Sequence, residues 1–162
     1  MDNDRIIEIY TDGSCNPKYK IGAWVAIIFV DEKIILDGYE NNTTHNSMEL
    51  LASIKALEFI EEKKYSYKQI KLYTDSQYLT GLTDRKEKLE NKDFLTKKGT
   101  SIQNADLVKK IIQYIEKLNI EFIKVKAHLK KTDTTNFNIE VDKLSRKIVR
   151  QCVDKLLKNN EI

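Results

Sequence analysis

Arg5–Thr11, RIIEIYT, runs straight into Asp12-Gly13-Ser14, and Gln69–Thr74, QIKLYT, runs straight into Asp75-Ser76-Gln77. Both stretches are rich in β-branched and aromatic residues and read as strands. Both close on the same three residues, Tyr-Thr-Asp. Between them lie Gly22–Val30 and Lys33–Tyr39, two further strands joined through Asp31-Glu32. So short a link makes a hairpin, which sets the first three strands antiparallel. Ser47–Lys63 then changes period: Leu50, Leu51, Ile54, Leu57 and Ile60 recur at helical spacing with Glu and Lys between them. The path from the hairpin to Gln69–Thr74 therefore passes through a helix, as a parallel crossover requires. If the first and fourth strands lie side by side, Asp12 and Asp75 emerge together at the sheet edge where open sheets bind ligands.

Working outward, Ser76–Leu82 begins a short helix, and Thr83–Thr100 is polar, lysine-rich and weakly patterned. Asp106–Leu118 is helical again, with Leu107, Val108, Ile111, Ile112 and Ile115 as its apolar stripe, and Glu121–Lys126 alternates as a fifth strand. Ile139–Leu157 closes the chain as a helix, striped by Val141, Leu144, Ile148, Cys152 and Leu156. The order βββαβ(α)αβα predicts an α/β (α+β) fold. Its mixed five-stranded sheet has three antiparallel strands, then two parallel ones, with helices on its faces. No linker, repeat or low-complexity stretch divides residues 1–162, which read as a single domain with a basic insertion around 83–100.

A chain of 162 residues can bury a core of its own. Its formal net charge of +3 is too small to demand a polyanionic partner, but Arg85, Lys86, Lys88, Lys92, Lys97 and Lys98 crowd into the middle segment. The two cysteines, Cys15 and Cys152, are far apart and lack metal-ligand spacing, which argues against zinc and against a disulfide scaffold. With no apolar leader at Met1–Tyr10 and no bilayer-length apolar run, the expectation is a cytoplasmic protein without membrane contact.

Glu49 falls in the first turn of the Ser47–Lys63 helix and Asp142 near the start of the last helix. Acids favour such positions for dipole reasons alone, at about 0.3–1 kcal/mol. Asp-Gly and Asp-Ser are also ordinary turn pairs. Convergence tells against these bland explanations. Four clustered acids would raise one another's pKa values, and a divalent cation relieves that repulsion. An all-oxygen set suits magnesium or manganese, and a pair of such ions suits phosphodiester cleavage.

The motifs Tyr10–Pro17 (YTDGSCNP), Thr43–Leu50 (TTHNSMEL), Tyr73–Tyr78 (YTDSQY), Val125–His128 (VKAH) and Asn138–Arg146 (NIEVDKLSR) occur in this order along nearly the whole chain. Together they resemble the successive motifs of type 1 ribonuclease H. The resemblance implies a ribonuclease H-like fold and an endonuclease that hydrolyses the RNA strand of an RNA–DNA hybrid, leaving 5′-phosphate and 3′-hydroxyl ends. It implies that Asp12, Glu49, Asp75 and Asp142 are both catalytic and metal-binding, holding two Mg2+ ions for which Mn2+ can substitute. By the same match His128 is a catalytic histidine assisting proton transfer or product departure. Asn16, Asn46 and Gln77 resemble contacts to the minor groove and its 2′-hydroxyls, and Thr44 and Asn104 resemble the pocket gripping a DNA-strand phosphate.

The lysine-rich segment occupies the place of the family's basic protrusion, where Phe94 is the only aromatic residue. Its expected role is to grip hybrid phosphates; the alternative is a solvated face. Other departures are a turn after the first strand without glycines, His45 where many relatives have asparagine, and a long loop Leu129–Phe137. Two further readings are another ribonuclease H-like nuclease, such as a junction resolvase or transposase core, and a non-catalytic hybrid-binding module. Thr43–Leu50 argues against the first and the intact acid set against the second. Starting at Met1 and ending soon after the last helix, the chain reads as a stand-alone enzyme rather than a piece of a reverse transcriptase, and with nothing demanding an oligomer a monomer is expected.

Overall fold

The computed structural model describes residues 4–125 and 133–160, with side chains in the second stretch from 136 onward. The strands are β1 (Ile6–Asn16), β2 (Ile21–Phe29), β3 (Lys33–Glu40), β4 (Gln69–Thr74) and β5 (Ile120–Lys124). The helices are α1 (His45–Lys63), α2 (Gln77–Thr80), α3 (Leu82–Asn91), α4 (Ala105–Lys117) and α5 (Asp133–Asn159). The strands form one mixed sheet in the order β3-β2-β1-β4-β5. β1 pairs antiparallel with β2 and β2 with β3, whereas β1 with β4 and β4 with β5 are parallel, as the crossover predicts.

The sheet is covered on both faces. Ile7, Ile9, Ala26, Ile28, Ile70 and Leu72 pack against Ala56, Leu57 and Ile60 of α1 and Tyr114 of α4. Tyr10, Val25 and Ile27 point the other way, toward Phe137 and Val141 of α5. Burial on both faces is why β2 reads as a continuous apolar run and not as an alternating one.

Three boundaries differ from the sequence reading in ways that bear on the site. β1 does not stop at Thr11. Its parallel pairing with β4 ends at Tyr10↔Tyr73, but pairing with β2 continues through Asp12↔Val25 to Asn16↔Ile21. Asp12 thus sits inside a strand, at the point where its parallel neighbour gives out. α1 starts at His45, because Thr44 caps it by accepting from the Ser47 N–H. Glu49 therefore opens the second turn, beyond the strongest reach of the helix dipole. α5 starts at Asp133, which puts Asp142 more than two turns inside the helix and removes the dipole explanation there altogether. The early start follows from Phe137, which extends the Val141–Leu144–Ile148 stripe by a turn and packs on Tyr10 and Phe29.

The lysine-rich segment is more ordered than its pattern suggests. Ser76 caps α2, Gly81 joins it to α3, and an isolated bridge, Leu95↔Ser101, closes the following loop.

Candidate active site

Asp12 is nearly buried, at 4% exposure, and its Oδ1 accepts the Gly13 N–H at 2.9 Å. Gly13 is what lets α1 come so close. A Cβ at that position would strike the backbone of Met48 and Glu49. Absence of a side chain on β1 thereby brings Glu49, itself 8% exposed, alongside Asp12. Asp75 follows β4 directly and is exposed on one side. Its turn is fixed by two short-range bonds: the Ser76 N–H donates to Thr74 Oγ1, and Ser76 Oγ accepts from Leu79 N–H to cap α2.

Asp12, Glu49 and Asp75 each offer a carboxylate oxygen, and the three oxygens lie within 4.8 Å of one another. Burial, then the charge of Asp75, pushes the Asp12 carboxyl up to about 8, against the Gly13 N–H; Asp142 and Glu49 add to the rise. Asp75 is also raised, first by burial and then by Glu49 and Asp142, with His45 acting in the opposite sense. Acids that hold Asp12 and Asp75 back from ionising are a poor arrangement for stability and a good one for a cation. The set is all oxygen, which fits a hard divalent ion and not a thiolate-preferring one.

Asp142 stands apart from this tight trio. It lines the same cavity, of about 360 Å³, together with Asp12, Ser14, His45, Asp75 and Arg146. Its Oδ1 accepts from Arg146 Nε at 2.9 Å, one helical turn on. Its charge is felt by both Asp12 and Asp75, so all four predicted acids share one field.

The other predicted residues separate into groups. Thr44 and Asn104 converge through an intermediary that sequence reasoning missed. Ser47 Oγ bonds Thr44 Oγ1 at 2.9 Å and Asn104 Oδ1 at 2.6 Å. Asn104 precedes α4 in the left-handed region (φ 59°) and makes no capping bond, leaving its side chain to Ser47. Asn46 and Gln77 are exposed at the starts of α1 and α2. Asn16 Oδ1 accepts from the Lys18 and Tyr19 N–H groups, so it also organises the turn between β1 and β2. His128 lies outside the described residues.

His45 has a specific partner: its Nε2 is 2.9 Å from Glu49 Oε1. Toward an ionised carboxylate, which only accepts, Nε2 would be the donor. That hydrogen bond is the main reason its pKa is raised. The i, i+4 spacing of His45 and Glu49, like that of Asp142 and Arg146, was available in the sequence as a signal for these pairs.

The RNase H family profile matches residues 4–150. The Ribonuclease H of Caldicellulosiruptor saccharolyticus is 33% identical over 148 residues, covering 90% of this chain and 97% of that protein. The Ribonuclease H of a Wolbachia of Drosophila simulans is 37% identical over 145 residues, covering 88% of this chain and 94% of its own length. Among solved structures, LC9-RNase H1, described as a type 1 RNase H with the type 2 active-site motif, is similar in fold. It aligns with a TM-score of 0.75 at 20% identity, over 91% of this chain and 74% of that one.

Proposed function

The chain belongs to the ribonuclease H family as a type 1 enzyme hydrolysing RNA in RNA–DNA hybrids, and we propose that its carboxylate cavity is where cleavage takes place. The observation that carries this reading is the convergence of Asp12, Glu49 and Asp75 from β1, α1 and the end of β4. In this reading the three hold divalent metal, with Asp142 completing the set from α5. Bound Mg2+, two ions in the active complex with Mn2+ as a substitute, would supply the charge that activates the attacking water and steadies the leaving oxygen.

The chain's own residues do the rest. Asp12 is held rigid by the Gly13 N–H and by burial, so the site geometry precedes substrate. Thr44, Ser47 and Asn104 form a hydrogen-bonded group able to grip a phosphate of the DNA strand. Asn16, Asn46 and Gln77, each within two positions of a residue that lines the cavity, are assigned to the minor groove and the 2′-hydroxyls. His128 is assigned to proton transfer or product departure on its motif alone. Products carry a 5′-phosphate and a 3′-hydroxyl, since water and not the 2′-hydroxyl attacks the phosphorus and the 3′-oxygen is the group that leaves. The lysine-rich stretch 83–100 is assigned to the phosphates of the hybrid.

Among the described residues no helix is long and apolar enough to cross a membrane. We read residues 1–162 as one catalytic domain acting as a cytoplasmic monomer on hybrids. The test uses one labelled RNA presented as hybrid, single strand and RNA duplex, with Mg2+, Mn2+ or chelator. Cleavage of the hybrid alone, abolished by chelator, is expected. Equal cleavage of all three, or cleavage in chelator, would overturn the reading.

A further inference from the structure

The lysine-rich stretch is not where the positive charge of this molecule is concentrated. Between 83 and 100, six cations meet four acids (Asp84, Glu87, Glu90 and Asp93), an excess of two. Two of the cations are also engaged. Lys86 pairs with Glu116, while Arg85 lies over the Tyr78 ring and donates to the Tyr78 carbonyl. Along residues 143–158 of α5, by contrast, beyond the helix's earlier acids Asp133, Glu140 and Asp142, the cations Lys143, Arg146, Lys147, Arg150, Lys155 and Lys158 meet one acid, Asp154. The excess of five in that stretch exceeds the +3 of the whole chain, so the residues outside 143–158 are net negative.

All six α5 cations are exposed. Lys143, Lys147, Arg150, Asp154 and Lys158 follow one another at three- and four-residue steps, a single stripe along the helix. Arg146 flanks it. On the opposite side Val141, Ser145, Val149 and Val153 are buried. Among the described residues only Arg146 of these six has an ion-pair partner. Lys143 with Lys147, and Arg146 with Arg150, are like-charge pairs at i, i+4, an arrangement that weakens a helix unless an outside anion relieves it.

The flank of the stripe meets the cavity. Arg146 lines that cavity with Asp12 and Asp75, and past it α5 packs through Val149 and Val153 on Ile21 and Ala23. Those two residues pair with Asn16 and Ser14 at the end of β1. The stripe thus runs alongside the end of the strand that carries Asp12, away from the carboxylates. From Arg146 to Lys158 the helix rises about 18 Å, or about five steps of a nucleic-acid strand at about 3.4 Å each.

We propose that this face of α5 is a second nucleic-acid-binding surface, a track for phosphodiester backbone leaving the cavity at Arg146 toward Lys158. The proposal rests on the cavity being the cleavage site. The anion is a row of phosphates, supplied either by further hybrid duplex or by a single-stranded extension of one strand.

The test compares the parent with Lys147→Gln/Arg150→Gln/Lys158→Gln and, as a counterpart, Lys88→Gln/Lys92→Gln/Lys97→Gln. Each is assayed on a short hybrid and on the same hybrid extended at either end by duplex or by single strand, across a salt series. Cleavage of the short hybrid by the parent checks the catalytic reading independently. The α5 variant is expected to keep the parent's kcat, its KM on the short hybrid and its melting temperature. On one class of extended substrate its KM rises about tenfold, and the slope of log KM against log salt flattens by about 2 to 3. The extension that produces the effect identifies the source of the phosphates. An α5 variant that matches the parent's KM and salt slope on every extended substrate overturns the proposal, leaving a solvated helix face. So does an equal loss on short and extended substrates.

Discussion

Asp12 and Asp142 face the same cavity with very different support. Asp12 lies within a strand, is nearly buried, receives the Gly13 N–H and is pressed against α1 by the absence of a side chain on Gly13. Asp142 projects from a helix, stays partly exposed, and is held by Arg146 one turn away. The strand acid is fixed by the sheet and pays in desolvation. The helix acid keeps its hydration, and its position depends on a partner that metal must displace or tolerate. If metal is the resident cation, the first should be indispensable and the second adjustable.

The largest effect is expected at Asp12. Asp12→Asn should reduce hybrid cleavage by about 10³-fold or more, the several kcal/mol of charge stabilisation that a metal supplies. Its effect on stability should have the opposite sign. The Asp12 carboxyl is raised to about 8 from a value of 3.8 in the unfolded chain. The folded state therefore binds the proton more tightly. The associated stability is fully present below pH 3.8 and is lost as pH rises through about 8. Metal-free parent protein should weaken steadily across that window, and Asp12→Asn should not. At pH 8 the variant should be more stable by a few kcal/mol, on the order set by the shift. Thermal melting in chelator from pH 4 to pH 8 reads this directly. A parent with a flat profile would show that Asp12 is not under the strain its burial implies.

Gly13→Ala attacks the support and leaves every carboxylate in place. The added methyl meets the backbone of Met48 and Glu49, which cannot give way as a side-chain tip would. A cost of about 1–3 kcal/mol in stability is expected from overpacking. Forcing α1 away from β1 also separates Glu49 from Asp12, so the metal concentration for half-maximal activity should rise. A variant that melts lower yet keeps the parent's metal dependence would mean that the trio does not rely on this close approach.

The same contrast explains what could be read from the sequence. The strands and the two main helices were legible because burial on both sheet faces leaves long apolar runs and the helices leave period-3.6 stripes. Asp12 and Asp75 were legible as a pair because Tyr-Thr-Asp recurs. That Asp12 lies inside β1 was not, since Asp-Gly-Ser reads as a turn and only the partner β2 holds it extended. The start of α5 was hidden for a similar reason. Thr134, Thr135, Asn136 and Asn138 are weak helix formers, and the anchor is Phe137 packing on Tyr10 and Phe29, residues more than 100 positions away. Ser47 joining Asn104, 57 residues on, leaves no local trace.

Asp142→Asn should be milder than the Asp12 change. Asp142 lies outside the tight trio, so a loss of about 10- to 100-fold in activity or metal affinity is expected, as for an outer partner of a metal site. Mn2+ titration followed by electron paramagnetic resonance would separate weaker binding from slower turnover. A loss equal to that of Asp12→Asn would put Asp142 on the same footing as the buried acids.

The smallest effect, and the sharpest on the comparison, belongs to Arg146→Gln. The Arg146–Asp142 pair is an exposed i, i+4 contact, worth about 0.3–0.5 kcal/mol. While it is made, a guanidinium occupies the carboxylate that metal would use and adds positive charge beside the cavity. Removing it should tighten Mn2+ binding about twofold without substrate present. Weaker Mn2+ binding in Arg146→Gln would reverse the sign. It would mean that the arginine holds Asp142 in place for the metal, as Gly13 holds Asp12, and the two acids would then differ in burial but not in kind.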